Sequence, residues 1–140
     1  MTEEKDIKKC LFSLAWHVSN KFNQIITDEK WIQKELHIQV TKVVTSISVP
    51  QEDTLIVRYP APTLREKIVV EHYENLSPFA LLMPLSMLGN ENLVPLYKKH
   101  GLSLIVLNHP IKLTEKGKPV DMAWFIWGVH SGNQMFFEEL

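Results

Sequence analysis

The sequence of 140 residues contains little cysteine and little glycine, and both scarcities exclude kinds of site. The one cysteine, Cys10, has no partner for an internal disulfide, so a disulfide framework is not expected. The five glycines never occur at G-x-G spacing, which argues against a glycine-rich phosphate loop. Neither H-E-x-x-H nor C-x-x-C occurs. We therefore expect no catalytic motif, no metal site and no cofactor.

Neither sign of charge dominates, since Lys and Arg number 15 and Asp and Glu number 16. A chain without excess positive charge has no overall attraction to nucleic acid, and we expect no such partner. The start, M-T-E-E-K-D, lacks the basic and then apolar layout of a secretory signal, so we expect a cytoplasmic protein. The longest apolar stretch, residues 79–88, is about half of the roughly 20 residues that cross a bilayer as a helix, which predicts no membrane span.

Hydrophobic residues make up 45% of the chain, and this fraction together with the length predicts one folded domain over residues 1–140. Its clearest strand is 120–129, V-D-M-A-W-F-I-W-G-V, where bulky side chains fill both alternating sets of positions. Such a strand is typical of the centre of a sheet that is covered on both faces. A second apolar run, 102–107, and the turn-rich segment 114–119 predict that the two strands form a C-terminal hairpin.

The N-terminal third carries a helical pattern followed by a β-branched one. Apolar residues spaced by three and four predict a helix over residues 3–26, and Thr27 begins a second, shorter helix that contains Trp31. Residues 37–49 are crowded with Val, Ile and Thr, for which we favour a strand. The alternative, in which the second helix continues to Ile47, also keeps helical spacing. A further strand is predicted over residues 54–59.

The middle of the chain is less clear. Residues 65–74 fit a strand or a helix, and we favour the strand because three β-branched residues occur together. Residues 79–88 are interpreted as a short buried helix bent at Pro84, and a second short helix runs through Leu96 to a stop at Gly101. The predicted fold is α+β: N-terminal helices packed on an antiparallel sheet of about four or five strands, with two short helices inserted before the C-terminal hairpin.

The six histidines, which include His109 and His130, show no metal-ligand spacing. His109, Asp121 and His130 flank the predicted hairpin, so folding could bring them together. With Tyr59 or Tyr73 they form our second hypothesis, a small-ligand-binding or hydrolytic site in a pocket between the sheet and the helices.

Our leading hypothesis is a non-enzymatic cytoplasmic module that acts through protein contacts, as a homodimer or an accessory subunit. The chain carries much apolar surface for its size, including three consecutive large apolar residues near its end. Termini are normally polar and frayed, so we predict that this tail, 134–140, docks on the first helix or across a subunit interface. The residues expected at an interface are Trp31, Met135, Phe136 and Phe137.

Overall fold

The computed structural model describes residues 24–27, 40–42, 54–107, 120–129 and 133–138. Its strands form one sheet, in the order β2-β1-β3-β4-β6-β5-β7. Five of the seven lie between Thr54 and Glu138. The strands are β1 (Gln24–Ile26), β2 (Val40–Lys42), β3 (Thr54–Arg58), β4 (Phe79–Pro84), β5 (Ser103–Leu107), β6 (Met122–Trp127) and β7 (Met135–Glu138).

The sheet is mixed. Only β6 runs against its neighbours, β4 and β5, and every other neighbouring pair is parallel. The predicted antiparallel sheet of four or five strands is therefore wrong, although the α+β class is confirmed. Parallel neighbours need a crossover rather than a tight turn, and the helix α1 (Arg65–Glu74) supplies the crossover between β3 and β4.

Residues 65–74 form α1 and not the strand that we favoured. The buried residues of α1 are Ile68, Val69, His72 and Tyr73. Positions with this spacing lie on one face of a helix, whereas a strand would direct Ile68 and Val69 to opposite faces. Pro62, in the 3₁₀ turn Pro62–Leu64 that leads into α1, also suits a helix entry because it needs no backbone donor. Burial on this face overrides the β-branched composition of the segment.

The predicted helix over residues 79–88 is also wrong. Its first six residues form β4, and only the 3₁₀ turn Leu85–Gly89 is helical. The first five residues of β4 are buried, so both faces of this strand are covered. A strand of this kind has an unbroken apolar sequence, which resembles that of a buried helix. Pro84, expected to bend a helix, instead ends the strand.

Three other predictions are confirmed. A strand at 54–58 agrees with the one predicted over 54–59, and the second short helix is α2 (Val94–His100), which ends at Gly101. β5 and β6 pair antiparallel, as the predicted hairpin requires. Every residue of β6 is buried except Trp127, which is half-buried. Both alternating sets of side chains in β6 are thus covered.

Most of the predicted N-terminal helices lie outside the described residues, and so does their expected packing on the sheet. The exception is 24–26, predicted as the end of the first helix, which forms β1 and corrects that boundary. Within 37–49, the described residues form β2, as the favoured strand reading requires.

One face of the sheet packs against α1 and α2, and we call it the helix face. Its buried core includes Phe79, Leu81, Phe125 and Leu104 from the strands and Val69 from α1. The alternate residues of the same strands, such as Trp124 and Ile105, are also fully buried. The longest helix in the described ranges has ten residues, and none there is long and apolar enough to cross a membrane.

Candidate functional site

The residues predicted to share a pocket do not all converge. Asp121 is exposed just before β6, whereas Tyr73 contacts Trp127 at the opposite end of that strand. Six residues at about 3.3 Å each separate those two ends. Tyr59 follows β3 and is half-buried. His109 and His130 lie outside the described residues.

Tyr73 is fully buried and holds the end of α2 against the sheet. Its hydroxyl donates a hydrogen bond to the Gly101 carbonyl at 2.8 Å, and its ring stacks on His100 with centroids 4.8 Å apart. The indole Nε1 of Trp127 donates to the His100 carbonyl at 2.9 Å. These donors satisfy carbonyls that a helix end leaves without intrahelical partners. Burial raises the pKa of the Tyr73 hydroxyl far above its ordinary value, so it remains a donor.

The strand β7 lies at one edge of the described sheet, next to β5. Two side-chain bonds hold its start in register: the Leu102 N–H donates to Asn133 Oδ1 at 2.8 Å, and the Gln134 N–H donates to Ser103 Oγ at 3.1 Å. Met135 then lies opposite Leu104. The tail therefore pairs with β5 of the same chain. The predicted contact of the tail with the first helix involves residues outside the described ranges.

Two residues of β7 direct their backbone groups away from β5. The Leu104 N–H donates to the Gln134 carbonyl at 2.9 Å, so Gln134 faces β5. Alternate residues of a strand direct their N–H and C=O groups to opposite sides. Phe136 therefore also faces β5, whereas Met135 and Phe137 face away from it. No other described strand pairs with this side of β7.

The side chains of Met135 and Phe137 are large and apolar, yet 58% and 70% of their surfaces are exposed. Two residues apart on a strand, they point to the same face, and the register with Leu104 and Val106 identifies it as the helix face. Phe136, on the other face, is half-buried. Two of the predicted interface residues of the tail, Met135 and Phe137, thus form one exposed apolar row along the outer side of β7. Phe136 is not part of this row, and Trp31 lies outside the described residues.

A groove lies beside this row, between β7 and α2. It encloses about 410 Å³ and is mainly apolar, with polar groups of Lys98, Asn133 and Gln134 on its lining. The row and the groove meet at Met135. The described residues that line it are Leu88, Val94, Tyr97 and Lys98 on the helical side, and Leu102, Leu104, Asn133, Gln134 and Met135 on the sheet side.

Hydrogen bonds fix the helical wall of the groove. Asn90 Oδ1 accepts from the Asn92 and Leu93 N–H groups, at 2.9 and 3.2 Å, which shapes the turn before α2. Asn90 Nδ2 donates to Glu66 Oε1 at 2.8 Å and so ties this turn to α1. The bonds from Asn90 and then Asn92 lower the pKa of the Glu66 carboxyl. The Tyr97 hydroxyl donates to the Met87 carbonyl at 3.1 Å.

The groove offers apolar contact with a polar rim, and none of the described residues that line it carries a carboxylate or an imidazole. In the described ranges, no group of three His, Cys, Asp or Glu side chains is placed to hold a metal ion. The sequence analysis did not identify the groove. Its one local signal is the three- and four-residue spacing of Val94, Tyr97 and Lys98, which places them on one helix face. It gave no sign that this face would meet a strand about 40 residues later in the chain.

The chain matches no protein-family model, and the comparison with curated proteins found no match.

Proposed function

We propose that this protein is a non-enzymatic interaction module that receives an extended segment of another polypeptide along the outer edge of β7. It acts by self-association or as an accessory subunit, and the single cysteine supports a cytoplasmic location. The observation that carries the proposal is the combination, on one strand, of outward backbone groups with the exposed side chains of Met135 and Phe137.

An open edge strand is a template for pairing with another chain, and proteins usually protect it with charge, proline or a covering element. The middle of β7 carries neither charge nor proline, since residues 135–137 are Met-Phe-Phe, and no described strand covers its outer side. In recognition by strand addition, main-chain hydrogen bonds give affinity and pockets for alternate side chains give specificity. The edge supplies the main-chain groups, and the groove supplies a pocket on the helix face.

The test is the size of the complex that the full chain forms in extracts of its native cell, measured by gel filtration. Phe137→Asp should shift the chain to the monomer position, because it removes an exposed apolar side chain and places a charge at the edge. Leu76→Asp is the matched control. Leu76 is 64% exposed and lies at the end of α1, near the start of β4, which is three strands from β7 or about 14 Å at the usual strand spacing.

The control should leave the complex intact. If the wild-type chain elutes as a monomer in the extract, or if both variants elute in the same complex as the wild type, the edge of β7 is not the interaction surface and the proposal fails.

The groove favours a second candidate function, the binding of a small apolar ligand. Its volume of about 410 Å³ lies within the usual range of ligand pockets, roughly 300 to 1,000 Å³. Val94→Trp would fill the space between α2 and β7. It should abolish binding of an apolar fluorescent probe such as anilinonaphthalene sulfonate, and the replacement of the exposed Leu76 by Trp should not. If the wild-type chain does not bind the probe, this candidate is excluded.

A further inference from the structure

We infer that the strand received at this edge is β7 of a second copy of this chain, antiparallel and related by a two-fold axis through Phe136. In this arrangement Phe137 of each copy enters the groove of the other. The inference rests on the proposed function and names its partner.

The backbone determines the register. The residues that face outward, Met135 and Phe137, are two apart, and in an antiparallel pair the residues that exchange two hydrogen bonds also recur every second position. With the axis at Phe136, Met135 of one copy lies opposite Phe137 of the other, and the reverse. Both outward N–H groups and both outward C=O groups of each copy are then paired. A shift of the axis to Met135 would pair Phe137 with Asn133 of the other copy, which precedes β7.

The side chains agree with the same register. Residues directly opposite in an antiparallel pair point to the same face, so Phe137 of one copy lies beside Met135 of the other. Met135 lines the groove, and the groove is larger than one phenyl ring requires. The exposed ring and the groove therefore lie on one surface that is complementary to itself, as a two-fold interface demands. Antiparallel pairing about a two-fold axis also uses the β7 edge of both copies, so the assembly ends at two chains. Parallel addition would instead leave an exposed edge to which a further copy could add.

The size of the contact predicts its strength. Each copy contributes one short strand, two exposed apolar side chains and the groove wall, and an aromatic side chain buries on the order of 150 to 250 Å². The interface is thus at or below the low end of stable complexes, about 1,200 Å² in total. We expect a reversible dimer that dissociates on dilution. Because each dimer contains two copies of the contact, Phe137→Asp should weaken dimerisation at least about 100-fold.

The experiment is disulfide trapping of the purified full chain in a Cys10→Ala background. Phe136→Cys places the two thiols opposite each other at the axis, where facing Cα atoms in an antiparallel pair are about 4.5 to 5.5 Å apart and a disulfide forms without strain. Gln134→Cys is the matched control. Its two copies would lie four residues apart along the strands, about 13 Å, beyond the reach of a disulfide.

Under mild oxidation the Phe136→Cys chain should form a covalent dimer and the Gln134→Cys chain should not. Sedimentation of the unmodified chain from micromolar to millimolar concentration provides a readout that requires no substitution in β7, and it should show a monomer that converts to a dimer. Equal trapping of both cysteine variants, or a monomer at every concentration, overturns the inference. If the purified chain stays monomeric while its complex in extracts still requires Phe137, the proposed function stands with a different partner. If the purified chain stays monomeric and no complex in extracts requires Phe137, both the inference and the proposed function fail.

Discussion

The strand β5 has two neighbours, and they differ in almost every respect that matters for stability and assembly. β6 lies between β4 and β5, and its Trp124 is fully buried. Among the described strands, β7 pairs with β5 alone, and its Phe137 is 70% exposed. Both strands are rich in large apolar residues. Position in the sheet, and not composition, makes β6 part of the core and leaves Met135 and Phe137 of β7 exposed.

The largest expected difference is in stability. Trp124→Ala should lower the free energy of unfolding by about 3 to 5 kcal/mol, because it removes a large buried side chain and leaves a cavity. Phe137→Ala, measured on dilute protein, should change it by less than about 0.5 kcal/mol. Urea denaturation followed by circular dichroism measures both. Similar losses for the two variants would show that β7 belongs to the core.

The next largest effect on stability concerns the packing of the end of α2 on the helix face. Tyr73→Phe removes the hydrogen bond to the Gly101 carbonyl but keeps the ring that stacks on His100. Loss of one such bond should cost about 1 kcal/mol of unfolding free energy. Trp127→Phe, which removes the neighbouring donor to His100, offers a comparison, although it also changes ring size. An unchanged unfolding midpoint for Tyr73→Phe would show that this hydroxyl does not hold the end of α2.

Leu76 tests whether an exposed apolar side chain is enough for assembly wherever it lies, because it is nearly as exposed as Phe137 but lies at the end of α1. Its φ of 53° is left-handed, and the Ser77 N–H donates to the His72 carbonyl at 2.9 Å, which is the pattern of a helix that ends in a Schellman turn. Leu76→Gly relieves strain at this residue. It should raise the unfolding free energy by about 0.5 to 1 kcal/mol in thermal or urea denaturation and leave assembly unchanged. A loss of stability would contradict this conformation.

The smallest effect is the pH dependence of the link between α1 and the groove wall. The Glu66 pKa is lowered in the folded chain by its bonds from Asn90 and Asn92, so this contribution is present at neutral pH and is lost as the pH falls through the folded pKa. Asn90→Ala should raise the Glu66 pKa towards its ordinary value. An NMR titration of the Glu66 carboxyl in both proteins measures this pKa. An unchanged pKa in the variant would show that the Asn90 side chain does not lower it.

Sequence reasoning identified the elements whose pattern is local. β6 was recognisable because both alternating sets of its residues are apolar, and α2 because its apolar spacing ends at Gly101. The same reasoning misassigned α1 and β4. Three β-branched residues in a row favour a strand, and an unbroken apolar run fits a buried helix or a buried strand, so each was decided by neighbours that are distant in sequence.

For the candidate site, the sequence indicated the exposed tail but not its surroundings. Three large apolar residues near the end of the chain marked Met135, Phe136 and Phe137 as residues that need a partner. The groove could not be foreseen in the same way, because it joins α2 to β7 through a register that depends on Asn133 and Ser103, about 30 residues apart. Local patterns do not specify such pairings.

The most direct test of the central claim is residue-specific amide hydrogen exchange along β7, measured by NMR on the dilute chain and on the assembled chain. The Phe136 amide faces β5 and should be protected in both states, whereas the Met135 and Phe137 amides face outward and should become protected only on assembly. Protection of all three amides in the dilute chain, or rapid exchange of Met135 and Phe137 in the assembled chain, would contradict strand addition at this edge.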